Sequence, residues 1–267
     1  MKCYYFKEIK FHNYLFNYID ICYIIHLENN GRLNFVLKQL YTFKPCKKNI
    51  IVFNKGFKKC KKLLLKQQSN YDLVDANIKI MKHAQQNNYN NIMILEDDFF
   101  FDKDIKNHNK NIDEFIYKKQ NEKMIYSFGI MPSLVIPYNY NHYLMIKGVV
   151  SHCIILNKLL INDFLKLNFN YYHEINKYSI DEIYDKSYKY NRYIYYKPLI
   201  YQLFTETDNS KNWNKFFYIN ILDFYRLLNL HKKAQPGYNI FYFLSKINLL
   251  LLIIFITYIL YLVYKYL

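Results

Sequence analysis

The pattern of apolar and polar residues divides most of the chain into short apolar runs and longer segments with helical spacing. The runs contain few polar residues, which is typical of strands buried on both faces of a sheet. Predicted strands cover Ile21–Leu27, Asn49–Phe53, Ile92–Leu95, Lys123–Phe128 and Val149–Leu156. Predicted helices cover Arg32–Thr42 and Asp72–Asn88. Strands that alternate with helices predict an α/β fold with a mainly parallel sheet flanked by helices.

The end of the chain follows a different pattern. The run Ile247–Tyr264 contains no charged residue, and Lys246 and Lys265 bracket it. A helix of this length spans roughly 27 Å, about the thickness of the hydrocarbon core of a bilayer. A buried core helix is the alternative, although such a helix normally keeps a polar stripe. Since Pro236-Gly237 is a natural break, we expect a globular domain over residues 1–237 and a C-terminal membrane anchor over residues 238–267.

Charge and cysteine content bear on the side of the membrane that the domain faces. The chain has 37 Lys and Arg residues against 21 Asp and Glu residues, and its formal net charge is +16. Because positively charged flanks stay in the cytoplasm, we expect a single-pass anchor with the domain on the cytoplasmic side. No C-x-x-C pair and no N-x-[ST] glycosylation sequence occurs, so no disulfide framework and no zinc site is predicted. A reducing compartment fits these features.

The positive charge also raises the alternative of a nucleic-acid-binding protein. A basic, aromatic-rich chain can bind nucleic acid through phosphate contacts and base stacking. The basic residues are scattered, however, except for one cluster at Lys55–Lys66. Anionic lipid headgroups near a bilayer explain that cluster equally well, so nucleic acid is the less favoured partner. A hydrophobic content of 52% excludes a disordered protein.

Two of the predicted strands run directly into polar residues suited to a binding site. In parallel sheets, ligands sit beyond the carboxyl ends of the strands. One strand runs into the turn Glu28–Arg32, and another runs into Glu96-Asp97-Asp98. Three adjacent carboxylates repel one another, and a hard divalent cation such as Mn²⁺ or Mg²⁺ relieves that repulsion. The alternative is an acidic loop that caps the next helix.

Four sequence blocks between residues 20 and 213 carry a family resemblance. They are Tyr23–Leu27 running on to Arg32, His83–Asp98, Gly148–Lys158, and Pro198–Gln202 through Thr207-Asp208, with Asp181 as an isolated acidic residue before the last block. In order and spacing these blocks resemble glycosyltransferase family 25, the lipopolysaccharide-type and collagen-type sugar transferases. The Leu95-Glu96-Asp97-Asp98 segment resembles the family's L-E-D-D motif, and the divergent members in large DNA viruses are the most similar.

The resemblance implies a GT-A fold and a metal-assisted reaction. It implies a UDP-sugar donor, most often UDP-galactose or UDP-glucose, and transfer of the hexose with inversion to a hydroxyl of a glycan or protein acceptor. The implied metal ligands for Mn²⁺ or Mg²⁺ are Glu96 and Asp98. Asp97 is expected to turn towards the sugar or a neighbouring backbone group. Arg32 and His152 are the further donor-binding candidates. The alternative for Arg32 is that it is an ordinary residue of the helix, and the alternative for His152 is that it is a strand histidine paired with backbone.

Inversion by a single displacement also needs a carboxylate that accepts the proton of the acceptor hydroxyl. Asp181 is the candidate for this base, and Glu182 is the second choice. A structural role for Asp181 as a helix cap after Ser179 is the alternative.

The sequence departs from the family pattern at several polar positions. His26 replaces an Asn, Ile154 replaces an aromatic residue, and Ala76-Asn77 replaces a Ser-His pair. Because each position lies near the expected site, altered activity is compatible with the sequence. A catalytically degenerate, membrane-anchored scaffold is therefore an alternative to an active transferase.

Overall fold

A nine-stranded mixed sheet with helices on both faces forms the body of the protein. The computed structural model describes residues 2–149, 152–167, 179–186, 190–205, 215–216 and 219–266. The strands are β1 (Tyr4–Lys10), β2 (Ile21–Leu27), β3 (Lys48–Asn54), β4 (Asn91–Glu96), β5 (Phe99–Phe101), β6 (Met124–Ser127), β7 (Met131–Pro137), β8 (His142–Val149), β9 (Cys153–Asn157), β10 (Asn191–Tyr195), β11 (Ile200–Gln202), β12 (Lys215–Phe216) and β13 (Ile219–Asn220). The helices are α1 (Leu33–Phe43), α2 (Ser69–Gln86), α3 (Ile105–Lys118), α4 (Lys158–Phe164), α5 (Ile180–Lys186), α6 (Ile221–Leu227) and α7 (Gly237–Tyr266).

The strand order of the large sheet is β1-β3-β2-β4-β9-β6-β10-β8-β7. β2 lies between β3 and β4 and is parallel to both, whereas β9 is antiparallel to its neighbours β4 and β6. Six of these strands run in one direction, yet three neighbouring pairs are parallel and five are antiparallel. The predicted α/β architecture with flanking helices is confirmed. The pairing is more mixed than expected, because β1, β8 and β9 run against the other strands.

Hydrophobic cores on both faces of the sheet explain why the central strands read as continuous apolar runs. Along β2, Cys22 and Ile24 join the core on one face, and Tyr23 and Ile25 join the core on the other. This alternation follows from the two-residue period of a strand. Helices α1 and α3 cover the first face, and α2, α4 and α5 cover the second.

β1 is an edge strand that the apolar pattern does not indicate, because three of its last four residues are charged, Lys7, Glu8 and Lys10. It pairs antiparallel with β3, in a register that sets Tyr4 opposite Asn54. This pairing brings the start of the chain to the loop after β3, where Cys3 and Cys60 form a disulfide. The disulfide is contrary to the expectation from the cysteine pattern, because strand pairing joins two residues that are 57 positions apart. Within the described residues, the free cysteines are the buried Cys22, Cys46 and Cys153.

The C-terminal helix α7 has two parts with different surroundings. Tyr238, Tyr242 and Ser245 are buried, and the Asn248 Nδ2 donates a hydrogen bond to the Ser133 carbonyl of β7 at 2.8 Å. The remainder is exposed, and among the described residues α7 is the one helix long and apolar enough to span a membrane. The expected apolar C-terminal helix is therefore present. A domain boundary at residue 237 stays a prediction, since the first turns of α7 pack against the sheet.

Candidate functional site

A pocket of about 450 Å³ opens at the carboxyl ends of β2, β3 and β4. Its position follows from the topology, because parallel neighbours end at the same edge of a sheet and leave a crevice there. The acidic triplet forms one wall, and the loop between β3 and α2 forms another. The charged and polar residues around it are Glu28, Asn29, Asn30, Arg32, Asn54, Lys55, Lys58, Lys59, Ser69, Asp72, Glu96, Asp97, Asp98 and Gln202.

Asp97 ties the end of β4 to the turn after β2. Its Oδ2 accepts hydrogen bonds from the His26 Nδ1 at 2.9 Å, the Leu27 backbone N–H at 3.1 Å and the Asn30 side chain. Its Oδ1 accepts from the Arg32 Nη1 at 2.9 Å. Burial by itself raises the Asp97 pKa, but the His26 hydrogen bond and the Arg32 charge outweigh it and hold the pKa below its usual value. Asp97 is therefore a charged anchor whose acceptor capacity is used within the protein.

Glu96 and Asp98 have the opposite electrostatic environment. Burial raises the pKa of Asp98 to about 6, against the opposing charge of Arg32. Burial also raises the pKa of Glu96 well above its usual value, and the charges of Asp98, Asp181 and Asp97 raise it further. A pair of carboxyl groups with raised pKa values in a pocket is typical of a functional site. Burying two such groups side by side lowers the stability of the fold, so a purely structural role would not favour the arrangement.

The two carboxyl groups fit a divalent cation that is shared with a ligand. The Asp98 Oδ2 accepts a hydrogen bond from the Gln202 Nε2 at 3.0 Å, whereas its Oδ1 is buried and has no partner among the described residues. No group of three or more His, Cys, Asp or Glu side chains suited to a metal occurs within those residues. Mg²⁺ is commonly held by one or two carboxylates together with water and substrate phosphates. Glu96 and Asp98 match that arrangement, and their role as ligands for Mn²⁺ or Mg²⁺ stays a prediction.

The two other donor-binding candidates lie in different places. Arg32 lines the pocket, but its Nη1 is committed to Asp97 and lies 3.7 Å from the Asp98 Oδ2, while its Nη2 donates to the Thr205 Oγ1 at 2.7 Å. His152 is buried outside the pocket lining, directly before β9, and its Nε2 donates to the Ile200 carbonyl at 3.2 Å. A donor-binding role for His152 stays a prediction.

Asp181 lies in the first turn of α5, near the acidic triplet in space. Its charge contributes to the raised pKa of Glu96, although the two residues are 85 positions apart in sequence. The cap of this helix is Ser179, whose Oγ accepts a hydrogen bond from the Glu182 backbone N–H at 3.3 Å. This contact assigns a capping role to Ser179, and the role of Asp181 as a base stays a prediction. Thr207-Asp208 and Ser151 of the family-like blocks lie outside the described residues.

Several residues in or beside the pocket were not singled out from the sequence. His26 appears there only as a departure from the family pattern; it does not line the pocket, but its ring is hydrogen-bonded to Asp97. Lys55, Lys58 and Lys59 belong to the basic cluster assigned to lipid or nucleic acid, and the structure places them on the pocket wall. Their position after β3 was the available signal, because β3 ends at the same edge as β2 and β4.

No protein-family model matches the chain, and no curated protein matches its sequence. Among solved structures, the chain is similar to a glycosyltransferase involved in the glycosylation of the major capsid of PBCV-1, with a TM-score of 0.44 and 11% identity over 70% of this chain and 95% of that chain. A197 from STIV gives a TM-score of 0.39 and 8% identity over 66% of this chain and 81% of that chain. UDP-glucose pyrophosphorylase complexed with UDP-glucose gives a TM-score of 0.36 and 9% identity over 66% and 72%, respectively. These are likenesses of fold.

Proposed function

We propose that this protein is a metal-assisted glycosyltransferase that moves a hexose, galactose or glucose, from a UDP-sugar to a hydroxyl of a glycan or protein. The observation that carries the proposal is the pocket at the carboxyl ends of β2, β3 and β4. There Glu96 and Asp98 face a wall that contains Lys58 and Lys59. Such a pocket suits a ligand with a diphosphate and a neutral sugar. The motif resemblance to glycosyltransferase family 25 supports the same activity.

The proposed transfer is a single displacement with inversion at the anomeric carbon. The bond between that carbon and the β-phosphate oxygen breaks, and its electron pair leaves with UDP. A bond forms from the acceptor oxygen to the same carbon, and the acceptor proton passes to a carboxylate. Asp181 is the proposed base, on the grounds of its electrostatic proximity to Glu96.

Glu96 and Asp98 are the proposed ligands for Mn²⁺ or Mg²⁺. When bound, the cation would neutralise the negative charge that develops on the diphosphate leaving group. Asp97 would contribute indirectly, because its bonds to His26, Asn30 and Arg32 fix the strand ends on which the two ligands are mounted.

We also propose that the exposed part of α7 anchors the protein in a membrane. The exposed segment is uncharged and long enough to cross a bilayer, and its tyrosines suit the interface. The positive charge of the domain favours the cytoplasmic side. The acceptor would then be a molecule that reaches the same membrane surface.

Thermal unfolding with UDP and Mn²⁺ tests the donor and metal assignments together. We expect UDP with Mn²⁺ to raise the unfolding temperature of the wild type, because a ligand that binds only the folded state stabilises it. Asp98→Asn should abolish the Mn²⁺-dependent part of the shift while leaving the ligand-free protein as stable or slightly more stable, since like-charge repulsion with Glu96 is relieved. Asp163→Asn, on α4 and outside the pocket lining, is a matched control. An equal shift in Asp98→Asn and wild type would show that the triplet is structural.

A further inference from the structure

The pocket has two walls of opposite charge. Glu96 and Asp98 lie on one side, and Lys55, Lys58 and Lys59 of the loop between β3 and α2 lie on the other. Lys58 and Lys59 are exposed at the surface of the pocket. A donor with two phosphates would therefore meet positive charge on the side of the loop and carboxylates on the side of β4.

Arg32, the arginine nearest the acidic wall, is already engaged. Its guanidinium spans Asp97, Asp98 and Thr205 through contacts of 2.9 Å, 3.7 Å and 2.7 Å. A phosphate at these Nη atoms would compete with contacts that hold the acidic wall together. The lysines of the loop lie on the opposite wall of the pocket, and they are the positive charges best placed for the phosphates.

The loop is fixed in position at three points. The Cys3–Cys60 disulfide ties its middle to the start of β1. Lys62 is buried beneath it, and its Nζ donates hydrogen bonds to Asp72, Asn54 and the Tyr4 hydroxyl. At the start of the loop, Gly56 has a φ of +75°, and a Cβ there would lie 2.9 Å from the Leu27 side chain.

A fixed loop loses little conformational entropy when a ligand binds, so the lysines are pre-organised. Gly56 also allows the backbone to turn close to β2, which sets the loop against the pocket. The neighbouring Lys61 and Lys66 belong to the same basic cluster but do not line the pocket. The exposed lysines of the cluster therefore divide into an inward pair, Lys58 and Lys59, and an outward pair, Lys61 and Lys66.

We propose that Lys58 and Lys59 bind the diphosphate of the nucleotide-sugar donor. This inference rests on the proposed function and assigns the phosphate side of that same pocket to the loop after β3 instead of to Arg32. Ammonium groups make charge-assisted hydrogen bonds to phosphate oxygens. They would stabilise both the bound donor and the UDP that leaves, since the charge on the diphosphate grows as the glycosidic bond breaks.

Two double variants of the full-length protein test the assignment. Lys58→Gln with Lys59→Gln removes the inward charges, and Lys61→Gln with Lys66→Gln removes the same number of charges from the outward side. The probes are UDP, uridine and inorganic pyrophosphate, each in calorimetric titrations at one ionic strength. We expect the dissociation constant for UDP to rise at least about tenfold in the inward pair and less than about threefold in the outward pair. Uridine, which has no phosphate, should bind both variants as it binds the wild type.

The remaining outcomes separate this inference from the proposed function. In one outcome, the wild type binds pyrophosphate but not UDP, and the Lys58→Gln, Lys59→Gln variant loses pyrophosphate binding. This result would support phosphate binding by the two lysines and contradict the nucleotide-sugar function. UDP binding that is unchanged in the inward pair would overturn the lysine assignment while leaving the function intact. Equal losses in both pairs would also overturn it, because they would reflect only the general field of the cluster. If both double variants bind phosphatidylserine vesicles more weakly and bind UDP unchanged, the cluster binds lipid headgroups and the lysine assignment is wrong.

Discussion

At the scale of single residues, Asp97 and Asp98 are adjacent in sequence but differ in protonation behaviour. Asp97 receives hydrogen bonds from His26, Asn30 and Arg32, and its pKa lies below the usual value. Asp98 has one side-chain donor, Gln202, and burial raises its pKa to about 6. The difference follows from the different partners of the two side chains in the turn after β4 and decides which carboxyl group is left for a ligand.

A buried histidine away from the pocket gives a prediction about pH. The His142 ring stacks on Phe115 at 3.9 Å, its Nδ1 donates to the Asn139 Oδ1, and its Nε2 is buried without a partner among the described residues. Burial lowers the His142 pKa from 6.5 to about 4. The unfolded chain therefore binds a proton more readily than the folded one, and stability should fall as pH drops from about 6.5 to about 4.

Between pH 7 and pH 5 this histidine should cost the wild type about 2 kcal/mol of unfolding free energy. Denaturant unfolding of the wild type and of His142→Gln at the two pH values measures the effect. The variant cannot titrate but keeps a donor for Asn139, and it should lose about 2 kcal/mol less. His83 and His108 also have lowered pKa values, and they contribute equally to both proteins. The same pH dependence in both proteins would contradict the role given to His142.

Residue chemistry was only partly predictable from the sequence. Three consecutive carboxylates after an apolar run indicated a site, and the structure places Glu96 and Asp98 in a pocket. That Asp97 is bonded within the protein depends on His26 and Asn30, which lie about seventy positions earlier in the sequence. Such pairing depends on the order of strands in the sheet, which local sequence patterns do not specify.

At the scale of elements, the loop between β3 and α2 is the best-restrained irregular segment near the site. The Cys3–Cys60 disulfide joins two residues that are 57 positions apart, and in the chain-entropy model such a cross-link stabilises a fold by about 4 kcal/mol. The buried ion pair between Lys62 and Asp72 connects the middle of the loop to the first turn of α2. Burial lowers the Lys62 pKa against the influence of Asp72. A loop restrained in this way suits a binding role better than a gating role.

Helix α7 gives a prediction about where the chain can be cut. Tyr238 packs 5.3 Å from the Tyr201 ring, and its hydroxyl accepts a hydrogen bond from the Gln202 backbone N–H. A chain that ends after Asn248 keeps these contacts and loses the exposed apolar part. It should leave the membrane pellet and unfold within a few degrees of the full-length protein.

A chain that ends after Pro236 also loses the burial of Tyr238 and Tyr242, and removal of a large buried aromatic side chain costs about 3–5 kcal/mol. This chain should unfold at a clearly lower temperature or aggregate. Fractionation with a carbonate wash, followed by thermal unfolding, measures both effects. If the chain ending after Asn248 still pellets, the anchor is wrong, and if both truncated chains are equally stable, the packing of α7 contributes nothing.

The elements themselves were predictable where apolar patterns were strong. β2 has the predicted bounds, and β3, β4, α1 and α2 differ from the prediction by a few residues at their ends. β1 was missed because an edge strand keeps charged residues on its exposed face. The predicted strand Val149–Leu156 is divided between the end of β8 and β9, since a single apolar run does not show where one strand ends and the next begins.

At the scale of the whole molecule, two features favour opposite orientations of the proposed membrane anchor. The net charge of +16 favours retention of the domain in the cytoplasm. The Cys3–Cys60 disulfide is typical of an oxidising compartment. The redox state of this pair in cells therefore distinguishes the two orientations, because cytosolic thiols are kept reduced.

The measurement that tests the central claim most directly is release of UDP from a panel of nucleotide sugars in the presence of Mn²⁺, with and without a hydroxyl acceptor. We predict release from UDP-galactose or UDP-glucose and little from GDP- or CMP-linked sugars. Asp181→Asn should lower transfer by roughly 10²–10⁴-fold with donor binding unchanged, which is the usual effect of removing a general base. A protein that binds UDP but releases it from no UDP-sugar would contradict the account and identify a degenerate, membrane-anchored scaffold.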